Sequence, residues 1–244
     1  MMLSTPNIVQ IRLNMQKTEK SLPLTRIQKL IGKLMSDAKQ AQPSCYMQIS
    51  MDMTDLARVR KAYCKQVGSR VTTNDFFICA MARAVADFPM LAGRLDANAE
   101  NMIIAEHIGI GFAVAAPQGL VVPVVKDVAE KTLPQIAVES DKLLKKARVN
   151  KLMPDDFDGA NVVLSGLGMY GVDSFYAIAP PLATGIISIG TIDETLMPKD
   201  DEIVTRRMMT AGLAVDRRIV DEAYAAMFLK RVAEQIEDPK TLTK

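Results

Sequence analysis

The chain has 244 residues, 49% of them hydrophobic and 24% charged, with a formal net charge of +2. That length suits one large domain or two small ones with a sizeable core, and the near-balanced charge gives no electrostatic ground for a nucleic-acid or membrane-surface partner. Cys45, Cys64 and Cys79 are odd in number and far apart, which argues against a disulfide framework or a zinc site and fits a reducing cytoplasm. No apolar run reaches the roughly 18–20 residues of a membrane span, and the N-terminus lacks the apolar stretch of a signal peptide.

After a polar lead at Lys17 to Ser21, LPLTRIQKLIGKLMSDAKQA sets Ile27, Leu30, Ile31, Leu34 and Met35 at helical spacing. CYMQISMDM alternates apolar and polar residues and predicts a strand. A helix over Asp55 to Gln66 follows, with Thr54 as its expected N-cap. Thr73 and Asp75 introduce a mostly buried helix, FFICAMARAVADF, ended by Pro89. The β-branched runs NMIIAE, IGIGFAVAA and GLVVPVV predict strands, with Pro117 and Gly119 in a turn and Pro123 marking an edge or bulge. PQIAVESDKLLKKAR predicts a helix, NVVLSG a strand, and ATGIISIG and MMTAGLAV two more strands around an acidic hairpin-like stretch at Lys199 to Glu202. A last helix is expected from Glu222 to Glu237. Strands alternating with helices and hairpins indicate an α/β fold with a mixed sheet.

Six segments together carry a resemblance: PLTRIQKLIGKLM, VTTNDFFICAMARAV, IGIGFAVAAPQGLVVPVVKD, VVLSGLGMYGVDSF, APPLATGIISIG and DRRIVDEAYAAMFL. In order and spacing, over about residues 20 to 240, they resemble the catalytic domain of the 2-oxoacid dehydrogenase dihydrolipoyl acyltransferases. The resemblance implies a chloramphenicol acetyltransferase-like fold: a mixed sheet flanked by helices, trimeric, with active sites in channels between neighbouring subunits. It also implies acyl transfer between dihydrolipoamide and coenzyme A, the latter a possible substrate of this chain, within a 2-oxoacid dehydrogenase complex. In the family a histidine in Asp-His-Arg-x-x-Asp-Gly takes the thiol proton, and a hydroxyl in a Ser-x-x-Gly segment stabilises the tetrahedral oxyanion. Carried over, the hydroxyl is Ser165, with Gly166, Leu167 and Gly168 completing the expected coenzyme A contact, and the motif's acidic residue is Asp221. The histidine position holds Arg217, and the glycine position holds Glu222.

Arginine stays protonated at physiological pH and cannot accept the thiol proton. The chain has one histidine, His107, which precedes the IGIGFAV run and is expected at a surface or interface rather than as a relocated base. A positioned base contributes about 10²- to 10⁴-fold, so its loss need not abolish transfer, and a cation at Arg217 could favour the thiolate. Against this stands the expectation that Arg217 pairs with Asp221 at helical spacing, with Glu222 as a second partner, and plugs the channel. Ser165 has an ordinary reading too, since a serine at a strand end often satisfies a turn.

The glycine runs lack the context of a dinucleotide site, no Walker-type motif occurs, and no metal is expected. Arg26 is a candidate partner for Asp221 across the trimer. Lys142, Lys145, Lys146, Arg148 and Lys151 form a basic cluster, expected as a solvated helix face. The resemblance implies a homotrimer that could join other complex subunits. The expected organisation is an N-terminal extension over 1–20 and one catalytic-like domain over 21–244, without a lipoyl attachment or peripheral-subunit-binding domain. With Leu242 as the single apolar anchor of EDPKTLTK, a free trimer is expected. The two rivals to an impaired enzyme are a non-catalytic scaffold and a module that binds coenzyme A or an acyl thioester without turnover.

Overall fold

The computed structural model describes residues 21–243 apart from 118, 200 and 201. The expected N-terminal extension over 1–20 lies outside them. A central six-stranded sheet has the order β1 (Ser44–Asp52), β10 (Glu202–Asp216), β9 (Gly185–Lys199), β8 (Val162–Gly166), β4 (Ile110–Phe112), β7 (Val124–Val125). β8 runs parallel to both β9 and β4, whereas the β1–β10, β10–β9 and β4–β7 pairs are antiparallel. The sheet is therefore mixed, as the pattern of helices and hairpins predicts.

Alternation along the strands assigns the two faces. Leu164, Ile187, Ile189, Leu213 and Val215 join the main core beneath the helices α2 (Thr54–Val67), α3 (Thr73–Asp87), α4 (Leu133–Arg148) and α5 (Glu222–Glu237). Their neighbours Val163, Ile186 and Ala214 point the other way and meet Ala179 and Ala183 of the irregular strap that joins β8 to β9. Helices thus cover one face and a length of chain without regular structure covers the other. α3 is buried along almost its whole length, including Phe76, Phe77, Ile78 and Met81. It cannot be placed by amphipathicity because it has little polar face to show.

Several expectations need correction. Thr54 does not cap α2: it is the first helical residue, and its hydroxyl accepts from the Arg207 N–H at 2.9 Å, a long-range strand contact. For α3 the cap is Thr72, whose hydroxyl accepts from the Asp75 N–H while the Asp75 carboxylate accepts from the Thr72 N–H, a reciprocal capping box. IGIGFAVAA is two strands, β4 and β5 (Val114–Ala116), because Ala113 donates to Leu164 and lets β5 leave the sheet to pair with β6 (Gly119–Val121). NMIIAE contains β3 (Met102–Ile104), paired with an unread strand β2 (Gly93–Leu95). β9 and β10 each run to 15 residues, about twice the apolar runs that announce them, because their polar outer halves still pair in register.

The first helix, α1 (Arg26–Ala41), is capped by a Thr25–Gln28 box. Its apolar stripe is not buried in the single chain: Leu30 and Leu34 are exposed and Ala38 is the buried contact. No helix among the described residues is long and apolar enough to cross a membrane.

Candidate active site

Ser165 is the fourth residue of β8 and shares its side-chain parity with Val163, so it faces the strap. Its register partner in β9 is Ser188, whose hydroxyl donates to the Phe175 carbonyl of the strap. Ser165 is half-buried, and among the described residues its hydroxyl makes no hydrogen bond of this kind. The next N–H is already used: Leu167 donates to Ile189 O at 3.1 Å. A Cβ on Gly168 would sit 2.3 Å from Gly190 O, and one on Gly190 would sit 1.8 Å from Asp173 O. Both glycines are required for the tight turn and strap to lie against β9. The predicted contact set Gly166, Leu167 and Gly168 thus has packing reasons of its own, and Ser165 presents a side-chain hydroxyl without a partner among the described residues.

At the other end of the sheet, DRRIVDE closes a turn between β10 and α5. Asp216, 2% exposed, accepts a two-pronged hydrogen bond from Arg218, Nε to Oδ1 at 3.0 Å and Nη2 to Oδ2 at 2.6 Å. This fork holds the Arg218 guanidinium firmly protonated. Ile219 and Val220 N–H both donate to Asp216 O, making the segment a compact turn rather than a helix. The helix starts at Glu222, and Asp221 is its N-cap, accepting from the Tyr224 N–H at 2.8 Å.

This corrects the expected Arg217–Asp221 ion pair. Helical spacing does not apply before the cap, and Asp221 Oδ1 accepts from the helix instead. Arg217 instead donates Nε to Glu222 Oε1 at 2.7 Å, with its backbone N–H on Pro43 O. The partners are 49% and 62% exposed, so the pair sits at the surface, where isolated ion pairs contribute little. The hydrogen bond lowers the pKa of Glu222 and raises that of Arg217. Cys45, near Arg217 at the start of β1, has its thiol pushed up by burial first and by the Glu222 carboxylate second, with Arg217 acting in the opposite direction. Cys45 as a neighbour of this turn was illegible in sequence, because it depends on the β1–β10 register that sets it opposite Val215.

The register also separates the two candidate groups. Ser165 pairs with Ser188 and Ser188 with Gly212, while Arg217 lies five residues further along β10. That is on the order of 16 Å along the strands, with two inter-strand spacings of about 4.8 Å in addition. Within one chain the Ser165 hydroxyl and the Arg217 guanidinium cannot meet at one thiol. Arg26 starts α1 and makes no ion pair with Asp221 in the single chain, among the described residues. His107 places Nδ1 2.8 Å from Asp127 Oδ1 at an exposed position, before β4 and away from Ser165. Lys145 pairs with Asp141 on the solvated helix face, whereas Lys146 pairs with Asp156, a part-buried contact that the expected solvated face does not include. Clefts of about 480 and 540 Å³ lie against α4 and between α3 and α5, and neither is lined by Ser165 or Arg217. Among the described residues no group of three or more His, Cys, Asp or Glu is gathered as a metal site.

The family model for the catalytic domain of 2-oxoacid dehydrogenases acyltransferase matches residues 16–244. The chain belongs to that family. A dihydrolipoyllysine-residue acetyltransferase component of the pyruvate dehydrogenase complex from Rickettsia felis is 33% identical over 96% of this chain. The mitochondrial pyruvate dehydrogenase protein X component of Mus musculus is 30% identical over 94% of it. The match takes in 58% of the first and 46% of the second, so the chain spans about half the length of such relatives.

Among solved structures of the family, a probable dihydrolipoamide acetyltransferase from Listeria monocytogenes superposes with a TM-score of 0.84 at 32% identity, covering 91% of this chain and 95% of that one. The dihydrolipoamide acetyltransferase of Azotobacter vinelandii superposes at 0.88 with 26% identity and complete coverage of both chains. That structure belongs to a study of the roles of a serine, a histidine 52 positions later and an asparagine 4 beyond it in that enzyme's catalytic mechanism. Chloramphenicol acetyltransferase, at 12% identity and a TM-score of 0.51 over 87% of this chain and 96% of that one, shares the fold.

Proposed function

We propose that the chain is a core subunit of the dihydrolipoyl acyltransferase type, built as a homotrimer for acyl transfer between dihydrolipoamide and coenzyme A, with the histidine-dependent step impaired. One observation carries the assignment. Ser165, Arg217 and Asp221 are separated by 52 and 4 residues, the same intervals as the serine, histidine and asparagine of the Azotobacter enzyme. Ser165 is then the oxyanion donor, and Arg217 occupies the position of the base.

The chemistry follows from the protonation states. A thiol must lose its proton before it attacks a thioester carbonyl, and Arg217, held protonated by Glu222, cannot take it. The Glu222 carboxylate, 2.7 Å from Arg217 Nε, offsets part of the charge that Arg217 presents to a thiolate. The same pair favours a second reading: a structural subunit of a 2-oxoacid dehydrogenase complex whose channel mouth is occupied by an internal ion pair.

Calorimetric titration of the purified oligomer with coenzyme A separates the readings. The acyltransferase reading predicts saturable heat and slow acetyl transfer to dihydrolipoamide that falls about 10²- to 10³-fold on Ser165→Ala. A stable oligomer with no coenzyme A heat contradicts it and leaves the scaffold.

A further inference from the structure

We infer that the acidic arm formed by the outer halves of β9 and β10 docks on the basic face of α2 of a second copy of this chain. The inference concerns assembly and goes beyond the proposed reaction, which it does not use.

The face is the first observation. α2 exposes Arg58, Lys61 and Lys65, and Arg70 follows just past its end. Arg58 pairs with Asp55, whereas Lys61, Lys65 and Arg70 have no ion-pair partner among the described residues. Arg58, Lys61 and Lys65 stand three and four residues apart, so like charges repel along one side of the helix. Beside them Arg60 Nε is buried without a hydrogen-bond acceptor. The cations on and beside α4 are placed differently, since Lys131, Lys145 and Lys146 each hold a carboxylate, of Glu139, Asp141 and Asp156. One basic cluster is neutralised by its own chain and the other is not.

The arm is the second observation. Beyond Arg207 on β10 and Thr191 on β9 the two strands pair only with each other, because β1 ends opposite Met208 and β8 ends opposite Ile189. From Ile192 to Pro198 and from Glu202 to Arg206 no residue is buried. The segment 192–205 holds Asp193, Glu194, Asp200, Asp201 and Glu202 against a single basic residue, Lys199. Glu194 also reaches Arg207 at 3.5 Å. Leu196 and Ile203, 70% and 77% exposed, share one face of the arm. A strand pair with open edges and exposed apolar side chains is a surface that folded proteins ordinarily cover.

The two surfaces do not meet within one chain. Leu56 and Tyr63 bury α2 against the main core, its hydrogen bond to β10 is made by its first residue, Thr54, and the arm stays uncovered. Complementary charge then assigns the occupant of each surface as the other one, on a second copy. The carboxylates of the arm meet Lys61, Lys65 and Arg70, and its apolar side chains lie against the lysine stems. An arm on the face of the next copy is a heterologous contact, which a ring such as the proposed homotrimer closes.

The test is cross-linking between two forms of the chain, Lys65→Cys and Glu202→Cys, co-expressed and treated with a short bismaleimide. The expected result is a covalent dimer on a denaturing gel that neither variant forms alone, above the background that the native cysteines give in the parent. At about 1 M salt, where the screening length is about 3 Å, that dimer should be lost. No dimer from the mixture, or a dimer formed equally by either variant alone, would overturn the inference. A yield unchanged by salt would overturn it as well, because the docking is assigned to charge. Acetyl transfer by Arg217→His decides the acyltransferase reading separately, so the two can fail independently.

Discussion

The two ends of the central sheet handle their polar groups in opposite ways. At the carboxyl end of β8, Gly168 and Gly190 let backbone approach backbone so closely that a methyl group would collide, and the serine they frame keeps its hydroxyl free. At the carboxyl end of β10, Asp216, Arg217, Arg218, Asp221 and Glu222 fall within seven consecutive residues and bond to one another or to the helix they start. A reacting group has to be held in place by its surroundings while its own valence stays open. The β8 end meets both conditions, and the β10 end meets only the first.

The contrast can be broken most easily at its tightest point. Gly190→Ala would put a Cβ 1.8 Å from Asp173 O, so the strap must move off β9. Overpacking of this kind costs about 1–3 kcal/mol, which lowers the thermal midpoint by roughly 2–12 °C for a chain this size at fixed protein concentration. An unchanged midpoint would mean that the strap does not hold the Ser165 turn. Next in size, Asp216→Ala leaves the Arg218 fork without its buried acceptor, and charge-assisted hydrogen bonds of this type are worth about 2 kcal/mol. Denaturant titration should show a lower midpoint with an unchanged slope.

Asp221→Ala removes the α5 cap and should cost about 1 kcal/mol, whereas Glu222→Ala, which deletes an exposed partner, should leave the midpoint where it was. The reverse order would restore the Arg217–Asp221 pair that the structure replaces. The smallest effect is a titration. The Glu222 carboxylate has its folded pKa depressed by the Arg217 hydrogen bond. The stabilisation from the pair is therefore complete above the unfolded carboxylate value, near pH 4.3 on average, and is lost as the pH falls through the lower folded value. Cys45 reports on the same pair: Glu222→Gln should move the pH midpoint of its alkylation down, and Arg217→Gln should move it up. Burial is the larger cause of its raised pKa, so both shifts are modest.

How far the sequence reveals this arrangement differs between the ends as well. The NVVLSG run announces β8 through its β-branched residues, and Ser165 at its end follows directly. The mixed sheet and the buried helix of FFICAMARAVADF are also legible, because burial patterns are local. The β10 turn is not. Arg217 and Asp221 four apart suggest a helical pair, and only the cap at Asp221 shows that the helix has not yet begun. Register is a long-range property, so nothing local in CYMQISMDM places Cys45 beside Val215 and the turn. The outer halves of β9 and β10 are hidden for a similar reason, since DETLMPK and EIVTRR pair with each other and carry little apolar signal.

The central claim is that the chain retains an acyltransferase site whose histidine position is filled by Arg217. The most direct measurement is the rate of acetyl transfer from acetyl-coenzyme A to dihydrolipoamide by the parent oligomer and by Arg217→His under identical conditions. The account predicts that the variant is faster by about 10²-fold or more, the worth of a positioned base, and that adding Ser165→Ala reverses most of the gain. A parent as fast as the variant would contradict it.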